Sequence, residues 1–321
     1  MTAPLPKIDY LRHPYYGGMF EPDSELGARA QEVLRPLIEE MARVEQDRVA
    51  RFGYHYGYED KVGEDLVLRG VSQVQLPPRL IDRISQAASP VVESMRARIS
   101  ALRQAGKAIR FKTVNHPLSQ ETDPDLWRSV DDMLRETQTL EVVRAFFGAK
   151  SARINSLAMF VNPANQEWAS QIFRDLDVET PPTAGFHVDS NGKCYVKGIL
   201  YLNDIGPEQG PFGIIPESHR WAEGTRDRIH RRAFDRSPLL ARNADERRVF
   251  ISLPEDMQVK AEFGGDMIAG SDESRRMLAE ELVSIGPRGL MTLFWPEAIH
   301  RGGNVQSGER HALQITLTAQ W

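Results

Sequence analysis

The spacing of apolar positions changes character near the middle of the chain. From Ser24 to Arg51, Val33, Leu34, Leu37, Ile38, Met41 and Val44 recur in steps of three and four, which marks an amphipathic helix. Pro36 inside that run predicts a kink or a later start. A second run, Pro78 to Gln104, puts Leu80, Ile81, Ile84, Ala87 and Ala88 on one face, with Pro90 expected to divide it. A third extends from Asp123 to Phe147, where Asp123 suits the cap and Pro124 the first helical position. Between these helices, VSQVQL at 71–76 reads as a strand. Residues 1 to about 150 are therefore expected to be mainly helical.

Beyond that point the period shortens. KGILYLND, FGII, GLMTLFW and ALQITLT are short β-rich runs punctuated by Gly, Pro, Asn and Asp, the pattern of a sandwich, barrel or jelly roll. Residues 220–248 interrupt it with nine Arg against five Asp plus Glu, and read as a helical or irregular insertion over the sheet. Such a basic segment could attract an anionic substrate, although a solvated face accounts for it more simply.

Composition narrows the class. With 321 residues, 41% hydrophobic and 26% charged, the chain has the makeup of a globular protein with one large β domain and a helical extension, or two domains. A net charge of -5 disfavours a nucleic-acid partner. The single cysteine, Cys194, rules out an intrachain disulfide and a cysteine-built zinc site. No apolar run approaches the roughly 18 residues of a membrane helix, and MTAPLPKIDYLRHPYY lacks an apolar signal core, so a cytoplasmic enzyme is the expectation.

The candidate chemistry lies in the β-rich half. Phe186-His187-Val188-Asp189 contains the only His-x-Asp triplet in the chain. On a strand, positions two apart point to one face, so imidazole and carboxylate can take adjacent positions on one metal. With 8 histidines and 20 aspartates, chance alone gives roughly 0.5 such triplets, so the triplet needs context. His300 supplies some: it follows a strand-like run and precedes a Gly-Gly turn. Arg310, ten residues on, opens the next strand and offers a rigid fork to a carboxylate. Two histidines and one carboxylate make the facial triad of non-haem iron oxygenases, which leaves three octahedral positions open.

In this context the sequence resembles the phytanoyl-CoA dioxygenase-like family of Fe(II)/2-oxoglutarate oxygenases. FHVD at 186–189, YLND at 201–204, GPFGIIPESHR at 210–220 and IHRGGNVQSGERHALQ at 299–314 carry the resemblance, in order and with matching spacing over about residues 150–321. It implies a double-stranded β-helix core (jelly roll, cupin-like) over 151–321, holding the Arg-rich insertion at about 220–260. Residues 1–150 would be a helical region that buttresses this core. It implies His187, Asp189 and His300 as iron ligands and Arg310 as the partner of the distal 2-oxoglutarate carboxylate. Ser190 sits where some relatives place a hydroxyl near the cosubstrate, although beside Asn191-Gly192 it also suits a turn. The implied reaction consumes 2-oxoglutarate and O2, releases succinate and carbon dioxide, and hydroxylates a C–H bond of a small molecule. A carboxylate at 189, where related halogenases have a small residue, favours hydroxylation over halogenation; desaturation, epoxidation or ring formation stay open, since they depend on substrate placement.

Two departures from the family pattern stand out. Position 302 is Gly where some relatives carry Ser or Thr, so Arg310 needs another helper. Glu217 replaces the Gly of the Pro-Gly-Ser-His turn, with an expected effect on its conformation. FRDLD at 173–177 has a phenylalanine where a ligand would be needed, and His219 is read as a packing residue of the turn. Trp168, Phe173, Trp221 and Trp295 are aromatic candidates for the site wall or the core. Two other classes remain open: a zinc-type hydrolase using the same three residues, and a non-catalytic jelly-roll protein with a structural metal. Arg310 discriminates against the first, since a hydrolase needs no cosubstrate clamp.

Overall fold

The computed structural model describes residues 57–109, 111–164, 194–220 and 279–321, together with Asp189 and six positions between 35 and 46. Those six are helical, within the first predicted helix. The remainder of that helix, His187, Ser190, the 173–177 segment, Trp168, Trp221 and nearly all of the Arg-rich insertion lie outside the described residues.

Helix α1 (Lys61–Arg69) starts at Asp60, whose carboxylate accepts the Gly63 N–H, and stops at Gly70. Gly70 takes φ 74°, and a Cβ there would lie 2.5 Å from His219 Nδ1, so both backbone and space require glycine. The chain turns directly into β1 (Val71–Gln75), the strand expected from VSQVQL. Helix α2 (Pro78–Gln104) runs unbroken through Pro90, against expectation. Pro90 faces solvent, where water can satisfy the carbonyl it frees, while Ile84, Ala88, Val92, Met95 and Ile99 hold both halves on the core.

The third predicted helix is two: α3 (Pro124–Glu136) and α4 (Thr139–Phe147), separated by Gln138 in the left-handed region at φ 56°. Asp123 occupies the cap position of α3 and its carbonyl accepts the Trp127 N–H at 2.9 Å, but its side chain makes no capping bond. Its Oδ2 accepts instead from Ser119 N–H and the Thr122 hydroxyl. Among the described residues no helix is long and apolar enough to cross a membrane.

The strands are β2 (Asn115–Leu118), β3 (Ser151–Pro163), β4 (Tyr195–Tyr201), β5 (Gly213–Ile214), β6 (Leu282–Val283), β7 (Leu290–Phe294), β8 (His300–Arg301) and β9 (Glu309–Gln320). They form an antiparallel six-stranded sheet, β1-β7-β4-β9-β3-β2, and a small sheet, β6-β5-β8. The period-two alternation sorts the large sheet cleanly. Val196, Leu200, Leu313, Ile315, Met159 and Leu293 face the helices and fuse with Ile84, Met95, Val130 and Phe146 into one core. Val71, Tyr201, Phe294 and Ala312 face the other way, toward Ile214 of the small sheet and Phe212 just before it. This is the expected curled β architecture of a jelly roll with helices on its outer face. The first 150 residues also supply two of its strands, β1 and β2.

Candidate active site

The inner face of the large sheet and the small sheet enclose a cavity of about 280 Å³. Strand register sets its wall in rows: Asn162 pairs with Arg310, Phe160 and Tyr201 with Ala312, Gln314 with Ile199, and Lys197 with Phe294 and Thr316. Asp189, His300, Arg310, Lys197 and Gly302 all line it.

His300 opens β8 and is 4% exposed. Its Nδ1 lies 2.8 Å from the Ala298 carbonyl, which can only accept, so that nitrogen carries the proton and Nε2 is turned to the cavity. Phe294 packs on the imidazole with ring centroids 4.8 Å apart. The preceding residue is pinned as well. Ser218 Oγ accepts the Ile299 N–H at 2.7 Å and donates to the Ile215 carbonyl. Asp189 is tied by its N–H to the Pro296 carbonyl at 3.0 Å. Its Oδ2 lies 3.4 Å from His300 Nε2 and 2.5 Å from Lys197 Nζ. A carboxylate oxygen and an imidazole nitrogen thus converge at one point, and an ammonium already sits against that oxygen. The donor set suits a divalent cation, and two of the three predicted ligands meet there.

Arg310 is 7% exposed and stands at the start of β9. Asn162 Oδ1 accepts from its Nε and Nη2 at 3.3 and 3.1 Å. Its Nη1 donates to the carbonyls of Gly210 and Gly303. Those two glycines let the GPF and RGG segments touch: a Cβ on Gly303 would lie 2.5 Å from Gly210 C and Pro211 O. Burial pulls the guanidinium below its ordinary pKa, but it remains a cation at any working pH.

Tyr201 was not anticipated. It is fully buried, lines the same cavity, and its hydroxyl accepts the Phe212 N–H at 2.8 Å. Burial raises its pKa, against smaller lowering effects from Arg310 and the Phe212 N–H, so the phenol keeps its proton. Lys197, Asn162 and Phe294 are likewise wall residues that no motif announced, and Phe212 joins them from the GPFGIIPESHR stretch. Alternation along KGILYLND could have found Lys197 and Tyr201 together, since both lie on one face.

Of the two uses open to Trp295, it takes the core: it points to the helix side, 5.5 Å from the Phe146 ring. One expectation is corrected. Glu217 does not alter the turn: it adopts φ 66°, the conformation a glycine would take, with its N–H on the Arg69 carbonyl at 2.7 Å. His219, in the same turn, stacks on Trp295 at 5.2 Å and places Nε2 3.1 Å from the Val67 carbonyl, outside the cavity lining.

No curated protein sequence matches the chain. Among solved structures, EctD from S. alaskensis with 2-oxoglutarate and 5-hydroxyectoine is 13% identical with a TM-score of 0.48, over 83% of this chain and 79% of that one. AviO1 from Streptomyces viridochromogenes Tue57 is 15% identical with a TM-score of 0.42, over 80% and 93%. HygX from Streptomyces hygroscopicus, with nickel and 2-oxoglutarate bound, is 16% identical with a TM-score of 0.40, over 82% and 87%. The model of the family described as phytanoyl-CoA dioxygenase (PhyH) matches residues 66–312. That match spans well over half of the chain, from within α1 to the start of β9, so the protein belongs to the phytanoyl-CoA dioxygenase family of iron- and 2-oxoglutarate-dependent oxygenases.

Proposed function

We propose that the protein hydroxylates a C–H bond of a small molecule, with His187, Asp189 and His300 as the iron ligands and Arg310 as the anchor of 2-oxoglutarate. The observation that carries this reading is the convergence of Asp189 Oδ2 and His300 Nε2, 3.4 Å apart, on a cavity that also receives the buried Arg310. Iron(II), when bound, supplies the redox centre at which dioxygen and 2-oxoglutarate are consumed, with release of succinate and carbon dioxide.

The chain's own residues do the rest. Ala298 fixes the His300 tautomer, so a bare nitrogen is presented without reorganisation. Arg310, itself buried, gives the distal carboxylate a charge-assisted partner away from bulk water, where such bonds are strongest. Tyr201 is the helper that Gly302 cannot be: its oxygen is occupied by Phe212 N–H, which leaves the phenolic proton to donate beside Arg310. Ser190 would be a further hydroxyl near the cosubstrate. Phe294 and Phe212, 4.7 Å apart, put an apolar surface against the imidazole and keep bulk water from it. The helices on the outer face act as a buttress for this sheet rather than as a second catalytic unit. A hydrolase reading has no use for Arg310, and the carboxylate at 189 favours hydroxylation over halide transfer.

The test is succinate formation from 2-oxoglutarate under air by the iron-loaded chain. The reading requires that a chelator abolish it and that zinc fail to replace iron. Turnover with zinc, or hydrolytic activity dependent on zinc, would replace this reading with the hydrolase one.

A further inference from the structure

The cavity wall carries three polar groups that neither the metal nor the anchor of 2-oxoglutarate employs. Lys197 is 16% exposed, and its Nζ bonds the same Asp189 oxygen that lies 3.4 Å from His300 Nε2. Gln314 faces Ile199 across β9 and β4, which makes it a diagonal neighbour of Lys197 on the cavity side. Asn115, opposite Phe160, lines the cavity too, and its Oδ1 is buried with no hydrogen-bond partner. A buried acceptor left unmatched is costly, and such a group in a cavity points to a ligand that donates to it.

We propose that Lys197 and Gln314 on one wall of this cavity, with Asn115 on the row of Phe160, Ala312 and Tyr201, bind the substrate and select a small polar molecule bearing an anionic group. The inference rests on the reading of the metal centre given above. A divalent cation shared by Asp189 Oδ2 and His300 Nε2 repels the ammonium held on that same oxygen, so metal loading drives Lys197 off Asp189. The displaced ammonium then stands on a wall it shares with Ile199 and Phe294, where a cation without a counter-charge is expensive. An anion carried in by the substrate removes that cost, and the two amides supply hydrogen bonds to its polar body. The distal carboxylate of 2-oxoglutarate cannot be that anion. Arg310 lies along β9 from Thr316, the residue facing Lys197, by roughly 20 Å of strand at the usual rise per residue.

The experiment uses the full chain, anaerobic, loaded with iron(II) and saturated with 2-oxoglutarate, and reads the metal-to-ligand charge-transfer band as probes are added. The probes are pairs differing only in charge: phenylacetate with phenylacetamide, and N-acetylglycine with its amide. The acid of at least one pair should bind about tenfold or more tightly than its amide, the scale of one charge-assisted bond. Lys197→Met should erase that preference, Lys197→Arg should restore it, and neither should change the affinity for 2-oxoglutarate. Lys197→Gln, checked by thermal unfolding, guards against a misfolded methionine variant. Acids and amides binding alike, or neither perturbing the band, would overturn the proposal. So would a loss of 2-oxoglutarate affinity in Lys197→Met comparable to that in Arg310→Ala, which would assign Lys197 to the metal-proximal end of the cosubstrate. Absence of the band in the wild type would instead sink the reading of the metal centre on which the proposal stands.

Discussion

Asn162 Oδ1 receives two N–H groups of the Arg310 guanidinium, Nε at 3.3 Å and Nη2 at 3.1 Å, across directly paired positions of β3 and β9. One neutral oxygen thus orients the cation without cancelling its charge. Replacing Asn162 by Leu strands two buried donors, at a cost of about 1–3 kcal/mol. The expected result is a loss of roughly tenfold or more in 2-oxoglutarate affinity by calorimetry. Asn162→Asp should also weaken binding, because its carboxylate competes with the cosubstrate for the same fork.

Tyr201→Phe removes only the hydroxyl. The phenyl ring still fills its place, so the melting temperature should shift by a few degrees at most, while the dissociation constant for 2-oxoglutarate rises about five- to tenfold. Affinity for the metal should not change. A compensating Gly302→Ser exchange should recover part of the loss; no change in 2-oxoglutarate affinity in Tyr201→Phe would remove Tyr201 from the site.

Gly303→Ala tests how the carbonyl cradle of Arg310 is built. The new methyl would stand 2.5 Å from backbone atoms of Gly210 and Pro211, which no rotamer change relieves. The two segments must separate, and loss of both stability and 2-oxoglutarate binding is expected. Gly106→Ala separates backbone strain from the clash: Gly106 takes φ 63° but nothing lies within 4 Å of a Cβ there, so the exchange should cost about 1 kcal/mol of stability and leave 2-oxoglutarate binding unchanged.

Gln138 and Glu217 hold left-handed backbone conformations, φ 56° and 66°, that cost a non-glycine residue about 1 kcal/mol or more. Gln138 is exposed and makes no capping bond, so Gln138→Gly should raise stability in urea unfolding by up to that amount. Glu217→Gly should gain less, because it forfeits the Glu217 contact with Arg220. Valine at either position should destabilise the fold.

The pair His311 and Glu309, with Nε2 and Oε2 3.0 Å apart, sets an acid limit on stability. Burial holds His311 below its ordinary value of 6.5, and Arg96 adds to this against the pull of Glu309. The unfolded chain therefore takes up this proton first, and stability falls as pH drops below about 6.5. Burial alone would raise Glu309, but its hydrogen bonds to His311 and Arg96 outweigh that, so its contribution is lost on further acidification below 4.5. His311→Asn should remove the upper part of this dependence in denaturant titrations at stepped pH and weaken the lower part, since Glu309 then keeps only Arg96 to hold its carboxyl down.

Much of this was legible in advance because period and motif are local properties. The apolar face of α2, the strand VSQVQ and the inward face of β9 follow from spacing alone, and the triplet, His300 and Arg310 are marked by residue type. What escaped depended on contacts distant in sequence. β3 does not alternate strictly as text, since SARINSLAMFVNP carries polar residues on its cavity face; only pairing with β9 makes Asn162 meaningful. Pro90 is harmless because of which side of α2 meets solvent, a fact absent from the residue itself. Tyr201 and Lys197 looked like ordinary strand residues until the fold placed them with Arg310 and Asp189.

The central claim is that His300 and Asp189 hold a metal to which Arg310 delivers 2-oxoglutarate. Anaerobic titration with iron(II) and then 2-oxoglutarate tests it most directly, comparing wild type with His300→Ala and Arg310→Ala. The account predicts a visible charge-transfer band in the wild type, none in His300→Ala, and in Arg310→Ala a band that needs far more 2-oxoglutarate to develop. A band of equal strength and equal 2-oxoglutarate dependence in all three proteins would contradict it.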